Sequence, residues 1–110
     1  MTEDQLQQQI ITWYNNTFCL KNQDLRHVIF SVPNGGSRNI IEAKKMKATG
    51  LLSGVSDLII LQPNKTIFIE LKIEKGIQSE SQKDFEFRVK LLGFEYHLIR
   101  SLEQFKILFN

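Results

Sequence analysis

The sequence predicts an α/β protein in which a central mixed sheet carries helices on both faces. Three observations predict it. Apolar residues recur at helical spacing near the start of the chain, in Leu6, Ile10, Trp13, Tyr14 and Phe18, and again in Phe85, Val89 and Leu92. Two runs rich in β-branched residues, 54–61 and 66–72, flank Gln62-Pro63-Asn64-Lys65, which reads as a hairpin turn. Shorter apolar runs at 26–32 and 94–99 stand before and after that hairpin, each separated from it by a helical stretch. The order is helix, strand, small helix, hairpin of two strands, helix, strand, helix.

The first helix, expected from about residue 3 to 17, opens on Thr2-Glu3-Asp4-Gln5. This has the form of a capping box, with Thr2 as N-cap and acids in the first turn to suit the helix dipole. Gln7, Gln8 and Gln9 are its wet face. Glu3 precedes Leu6 and Ile10 by three and seven residues and so lies on the inward stripe. Arg26 to Val32 is the first strand, with His27 near its start as a partly exposed strand residue. Pro33 to Asn39 is a turn in which Asn34, Gly35, Gly36 and Arg38 offer backbone amides and a guanidinium to an anion, though a plain loop has the same composition. A small helix from Ile40 to Thr49 stops at Gly50 and carries Lys44, Lys45 and Lys47, a solvated face or a surface for a phosphate backbone.

After the hairpin, Glu74-Lys75-Gly76 is an exposed turn, and Ser79 or Ser81 caps a helix ending at Gly93. Gln82 sits on the inward stripe of that helix at its N-terminal end, where it is a core-edge residue or reaches towards the strand ends. Phe94 to Ile99 alternates as the last strand. Ser101-Leu102-Glu103-Gln104 repeats the capping-box form and opens a terminal helix through Phe109.

The hairpin holds the chemistry. With Pro63-Asn64 as a two-residue loop, Gln62 faces Lys65 and Asp57 falls opposite Glu70; a four-residue loop keeps that register, and a three-residue loop breaks it. Opposed residues have Cβ atoms roughly 5 Å apart, and side chains alternate, so Lys72 shares the face of Glu70. Like charges across a strand pair are destabilising, and each buried carboxylate carries a desolvation penalty. Paired carboxylates on a rigid sheet suit a hard divalent cation, Mg²⁺ or Mn²⁺, which takes oxygen ligands and keeps several waters. A lysine beside it orients or deprotonates a water, or stabilises charge developing on a phosphate. A solvated edge hairpin with charges on its outer face remains the plain alternative.

Composition sets the bounds. The length of 110 residues fits one domain, 1–110, with a core of its own. A net charge of +2 means that a nucleic-acid partner has to be argued from local patches. The single Cys19 excludes an internal disulfide and a cysteine-based zinc site and reads as a buried thiol in a reducing compartment. Residues 1–9 are polar and lack the apolar core of a signal peptide, and no segment is long enough to span a membrane, so the cytoplasm is the expected location.

Asp57 followed after twelve residues by Glu70-Leu71-Lys72 resembles the PD-(D/E)xK nuclease motif on a restriction-endonuclease-like αβββαβ core. The wider set, Pro33-Asn34-Gly35-Gly36, Gly50 to Gly54, Val55-Ser56-Asp57, Glu70-Leu71-Lys72 and Gln82, resembles the VRR-NUC family, whose small stand-alone members occur in phages and bacteria. Ser56 departs from the family, which commonly has proline before the acid. The resemblance implies that Asp57 and Glu70 bind Mg²⁺ or Mn²⁺, with the Leu71 carbonyl and Glu3 as further ligands. It implies that Lys72 positions the attacking water and that Gln82 supports the site. The reaction class is metal-assisted phosphodiester hydrolysis. The implied substrate is branched DNA, including four-way (Holliday) junctions, cut by a homodimer because symmetric cutting needs a two-fold partner; the apolar side chains of the terminal helix (Phe105, Leu108, Phe109) and of the first helix are the candidate pairing surfaces. A DNA-binding module without cleavage and a structural subunit with merely solvated charges are the rival classes.

Overall fold

A computed structural model of the chain describes residues 1–20, 26–33 and 40–110. Its elements are α1 (Glu3–Tyr14) with a π-helical turn (Asn15–Cys19), β1 (Val28–Ser31), α2 (Ile40–Ala48), β2 (Leu58–Gln62), β3 (Lys65–Leu71), α3 (Glu80–Leu91), β4 (Glu95–Ile99) and α4 (Leu102–Ile107). The strands form a mixed sheet in the order β1-β2-β3-β4, antiparallel across the first two pairs and parallel between β3 and β4. This is the expected α/β architecture.

The two faces of the sheet hold separate cores, and strand alternation assigns each residue to one of them. Leu58, Ile60, Ile67, Ile69, Leu71 and Ile99 turn to the face covered by α1 and α4, where Leu6, Ile10, Tyr14 and Phe105 are fully buried. Phe68 and Tyr96 turn to the other face and pack under Phe85 and Val89 of α3. Asp57, Glu70 and Lys72 alternate onto that second face.

Helix ends follow the residues that mark them. Thr2 and Gln5 close a reciprocal capping box at the start of α1, and Ser79 with Gln82 closes another at the start of α3. At the end of α2, Gly50 (φ +111°) donates to the Lys47 carbonyl and Leu51 to the Met46 carbonyl, the paired bonds of a Schellman turn. Gly93 (φ +94°) and Phe94 repeat the pattern on Lys90 and Val89.

Several expectations change on packing. The first helix leaves α geometry after Tyr14, and the extra residue of the π turn buries Cys19 while Phe18 stays half-buried. His27, by contrast, is half-buried as expected and stands just before β1; its Nδ1 lies 2.7 Å from the Tyr14 hydroxyl, and its ring stacks on Phe18 at 5.1 Å. Leu92, expected on the inward stripe of α3, is 74 % exposed because the helix has already ended. Phe105, a candidate for an exposed dimer contact, is completely buried between α1 and the sheet. At the N-terminus of α4 the Gln104 side chain accepts from Arg100 N at 2.7 Å instead of Ser101, so only half of the expected box forms.

Candidate active site

The hairpin turn has two residues. Gln62 pairs with Lys65 and Leu58 with Ile69, which carries Asp57 to the position opposite Glu70. Asn64 takes φ +57°, a conformation asparagine tolerates and most side chains resist. Asp57 itself stands just before β2, where the backbone bends. Its carbonyl accepts from Val32 N at 2.9 Å, and its carboxylate Oδ2 accepts from Leu71 N at 2.8 Å. The buried Ser56 beside it donates to the Leu58 carbonyl at 3.3 Å, a local tie where proline would stiffen the chain by its ring.

Glu70 is the anomaly of the molecule. It is fully buried, and among the described residues neither carboxylate oxygen meets a hydrogen-bond donor. Burial raises its carboxyl far above the ordinary range, to about 8; the Asp57 carboxylate beside it adds to the rise, Lys72 offsets part of it, and Glu3 adds a little more. Two unsatisfied buried acceptors cost on the order of 1–3 kcal/mol each, which a fold tolerates where a ligand completes them. A divalent cation is such a ligand, and the donor set present (the Asp57 carboxylate, the Glu70 carboxylate and nearby backbone carbonyls) is all oxygen, as Mg²⁺ and Mn²⁺ prefer. The residues fit the ion. Among the described residues no group of three or more His, Cys, Asp or Glu side chains is gathered for a metal, so the close side-chain ligands are the two carboxylates, with backbone oxygens and water to complete the shell.

The remaining site residues lie around this pair. Lys72 is half-buried at the end of β3, its backbone N bonded to the Ile99 carbonyl at 3.1 Å, and its aliphatic stem runs past Gly76 of the following turn. Gln82 lies half-buried in the first turn of α3, with Oε1 committed to Ser79 N at 2.8 Å. That turn presses on the loop leading to Asp57, so closely that a Cβ on Gly54 would collide with the Ser81 carbonyl. Glu3 is exposed at the start of α1, near enough for its charge to reach Glu70. Lys44, Lys45 and Lys47 are exposed on α2, which packs against no other helix or strand among the described residues. Asn34, Gly35, Gly36 and Arg38 lie outside the described residues. Sequence reasoning passed over Gln78 and Tyr96, whose side chains meet beside Glu70; the alternation of the last strand was the one signal that put Tyr96 on this face.

A hollow of about 660 Å³ along the outer side of α1 and one of about 510 Å³ at the turn end of the hairpin are both lined by other residues.

A profile of the VRR-NUC domain matches residues 1–102 of the chain. A solved structure described as a VRR_NUC domain protein superposes with a TM-score of 0.75 over 98 % of this chain and 84 % of its own, at 21 % identity, a likeness of fold. No curated protein matches.

Proposed function

Because the chain belongs to the VRR-NUC family, a family of nuclease domains, we propose that it is a metal-dependent endonuclease that hydrolyses phosphodiester bonds in branched DNA. The observation that carries the metal-dependent reading is Glu70, buried with two unpartnered oxygens beside the Asp57 carboxylate.

In this reading Asp57, Glu70 and the Leu71 carbonyl would hold Mg²⁺ or Mn²⁺, with Glu3 as a further ligand. The bound ion supplies Lewis-acid polarisation of the scissile phosphate and lowers the pKa of water. The chain's own groups do the rest. Asp57 is braced by Leu71 N, so its second oxygen keeps one direction. Glu70, ionised once a cation offsets its burial, faces the same point. Lys72, with its stem laid along Gly76, holds Nζ beside the attacking water and neutralises charge growing on the phosphate oxygens. Gln82 supports the site from α3 through its amide nitrogen, since its oxygen is occupied by the cap.

Binding uses the exposed lysines of α2, whose freedom from packing lets them follow a phosphate backbone. With net charge +2, one copy grips a duplex weakly, and a homodimer presenting two sites to a four-way junction resolves that difficulty. Phe105 is in the core and takes no part in pairing; the large apolar side chains that are exposed, Ile107 and Leu108 in and after α4, Phe87 and Leu91 on α3 and Val28, Phe30 and Leu61 on the sheet, are the candidates for it. Among the described residues no helix is long and apolar enough to cross a membrane.

The test is cleavage of a panel of linear duplex, single strand, flap, splayed arm and four-way junction, with Mg²⁺, with Mn²⁺ and with chelator. Chelator-sensitive cutting of the branched members is expected. Binding without cutting under every condition would leave a DNA-binding module in place of an enzyme.

A further inference from the structure

The face of the sheet that carries Glu70 also carries Tyr96. In the parallel pairing of β3 with β4, Phe68 lies opposite Tyr96 and Glu70 opposite Leu98, so Tyr96 and Glu70 are diagonal neighbours on one face. Tyr96 is 4 % exposed. Its hydroxyl lies 3.0 Å from Gln78 Nε2, and the same nitrogen lies 3.0 Å from Glu86 Oε1.

These distances fix the direction of every bond. Burial opposes the charge of Glu86, but Lys90, 2.5 Å from its Oε2, and Gln78 together hold the carboxyl below its ordinary value. A carboxylate only accepts, so Gln78 donates one amide proton to Glu86 and the other to Tyr96. The phenol oxygen is therefore an acceptor in that pair and keeps its own proton. Among the described residues no side chain or carbonyl accepts that proton. Opposite stands Glu70, two buried acceptors without a donor. The diagonal register on one face is what sets the Tyr96 ring and the Glu70 carboxylate side by side.

We propose that Tyr96 is a positioning residue for Glu70: Gln78, oriented by Glu86 and Lys90, aims the Tyr96 hydroxyl so that it donates to the Glu70 carboxylate through one intervening water. A water is the natural link, because the structure shows no direct bond between the phenol and Glu70, and both buried groups have hydrogen-bonding capacity unused among the described residues. The link fixes the rotamer of a metal-binding carboxylate and couples it to a chain of four residues ending at the exposed Lys90. It rests on the reading of Asp57 and Glu70 as a metal site.

The experiment is calorimetric titration of the metal-free full chain with Mn²⁺, without DNA, alongside thermal melts. Tyr96→Phe keeps the ring and its packing on Phe85 (centroids 6.3 Å apart) and removes only the hydroxyl. Gln78→Met removes the donor that orients it. Each variant is expected to weaken Mn²⁺ binding by about 10–100-fold, the usual effect of losing a residue behind a ligand. The double variant is expected to be no weaker than the worse single, because the two residues act in one chain. Wild-type affinity in Tyr96→Phe, even with a lowered Tm, overturns the proposal and leaves a core tyrosine. Additive losses overturn it too, since Gln78 would then act independently. A wild-type chain that takes up no Mn²⁺ overturns the metal-site reading itself, a result distinct from either.

Discussion

The Asp57 carboxylate accepts a 2.8 Å hydrogen bond from the backbone amide of Leu71, the residue that follows Glu70. One bond thus ties the entry of β2 to the end of β3 at the point where two acids and a lysine meet. It spends one oxygen of Asp57 on structure and leaves the other for chemistry. Four predictions start from this corner of the fold.

Asp57→Asn is expected to keep the fold, because the amide oxygen of asparagine still accepts from Leu71 N. Cleavage is expected to drop by on the order of 10³ or more, the scale of removing one member of a catalytic set. Cutting of labelled DNA and a thermal melt measure the two effects separately. Substantial Mg²⁺-dependent activity in this variant would falsify the assignment of Asp57.

Glu70 makes the metal-free protein sensitive to pH in a definite direction. Its carboxyl is protonated in the folded state up to about 8, whereas in the unfolded chain it ionises near its ordinary value of 4.5. Between those values the folded state binds more protons, so stability is highest on the acid side of the window and falls as pH rises through it. Above about 8 this contribution is constant. Melts of metal-free protein across pH 5 to 9 are expected to show the decline, and Glu70→Gln is expected to flatten it. Added Mn²⁺ is expected to raise the wild-type Tm most at the alkaline end and to do little for Glu70→Gln. An identical slope in wild type and Glu70→Gln would remove Glu70 as its source.

Replacing Lys44, Lys45 and Lys47 together by alanine is expected to weaken DNA binding for all sequences alike. The log–log salt slope should flatten by roughly one unit for each phosphate that the lysines no longer neutralise. Stability is expected to change by no more than about 0.5 kcal/mol, because α2 packs against no other element among the described residues. Fluorescence anisotropy at several salt concentrations reads the slope; an unchanged slope means that α2 faces away from DNA.

Gly54 and Gly50 both take positive φ, +85° and +111°, but they sit in different surroundings. A methyl group on Gly50 meets nothing within 4 Å, whereas on Gly54 it drives into the backbone of Ser81 and Gln82. Gly50→Ala is therefore expected to cost about 1 kcal/mol of backbone strain and to leave activity alone. Gly54→Ala is expected to cost clearly more and to reduce cleavage, since it pushes the N-terminus of α3 away from the loop that delivers Asp57. Denaturant titration of both variants checks the ordering; equal costs would mean that the α3 contact gives way freely.

Much of this arrangement is local and was legible in the residues. Thr2-Glu3-Asp4-Gln5, the hairpin turn at Pro63-Asn64, Ser79 as a cap and Gly50 and Gly93 as stops each act through bonds to neighbours a few positions away, so short stretches of chain determine them. The register that sets Asp57 opposite Glu70 was legible only on condition of the turn length: a two- or four-residue loop gives it and a three-residue loop does not, and the structure has two. From the local signals follow the α/β element order and the shared face of Glu70 and Lys72.

What the tertiary structure decided is how much water each of those groups sees and what stands across from it. Nothing in Glu-Leu-Lys says that Glu70 is fully buried with no donor among the described residues, that Asp57 bonds to Leu71 N, or that Gln78 bonds to the Tyr96 hydroxyl. The burial of Phe105 and the exposure of Leu92 were misjudged for the same reason. Periodicity reports which side of an element a residue occupies, while burial depends on which other element covers that side, and that partner lies far away in the chain.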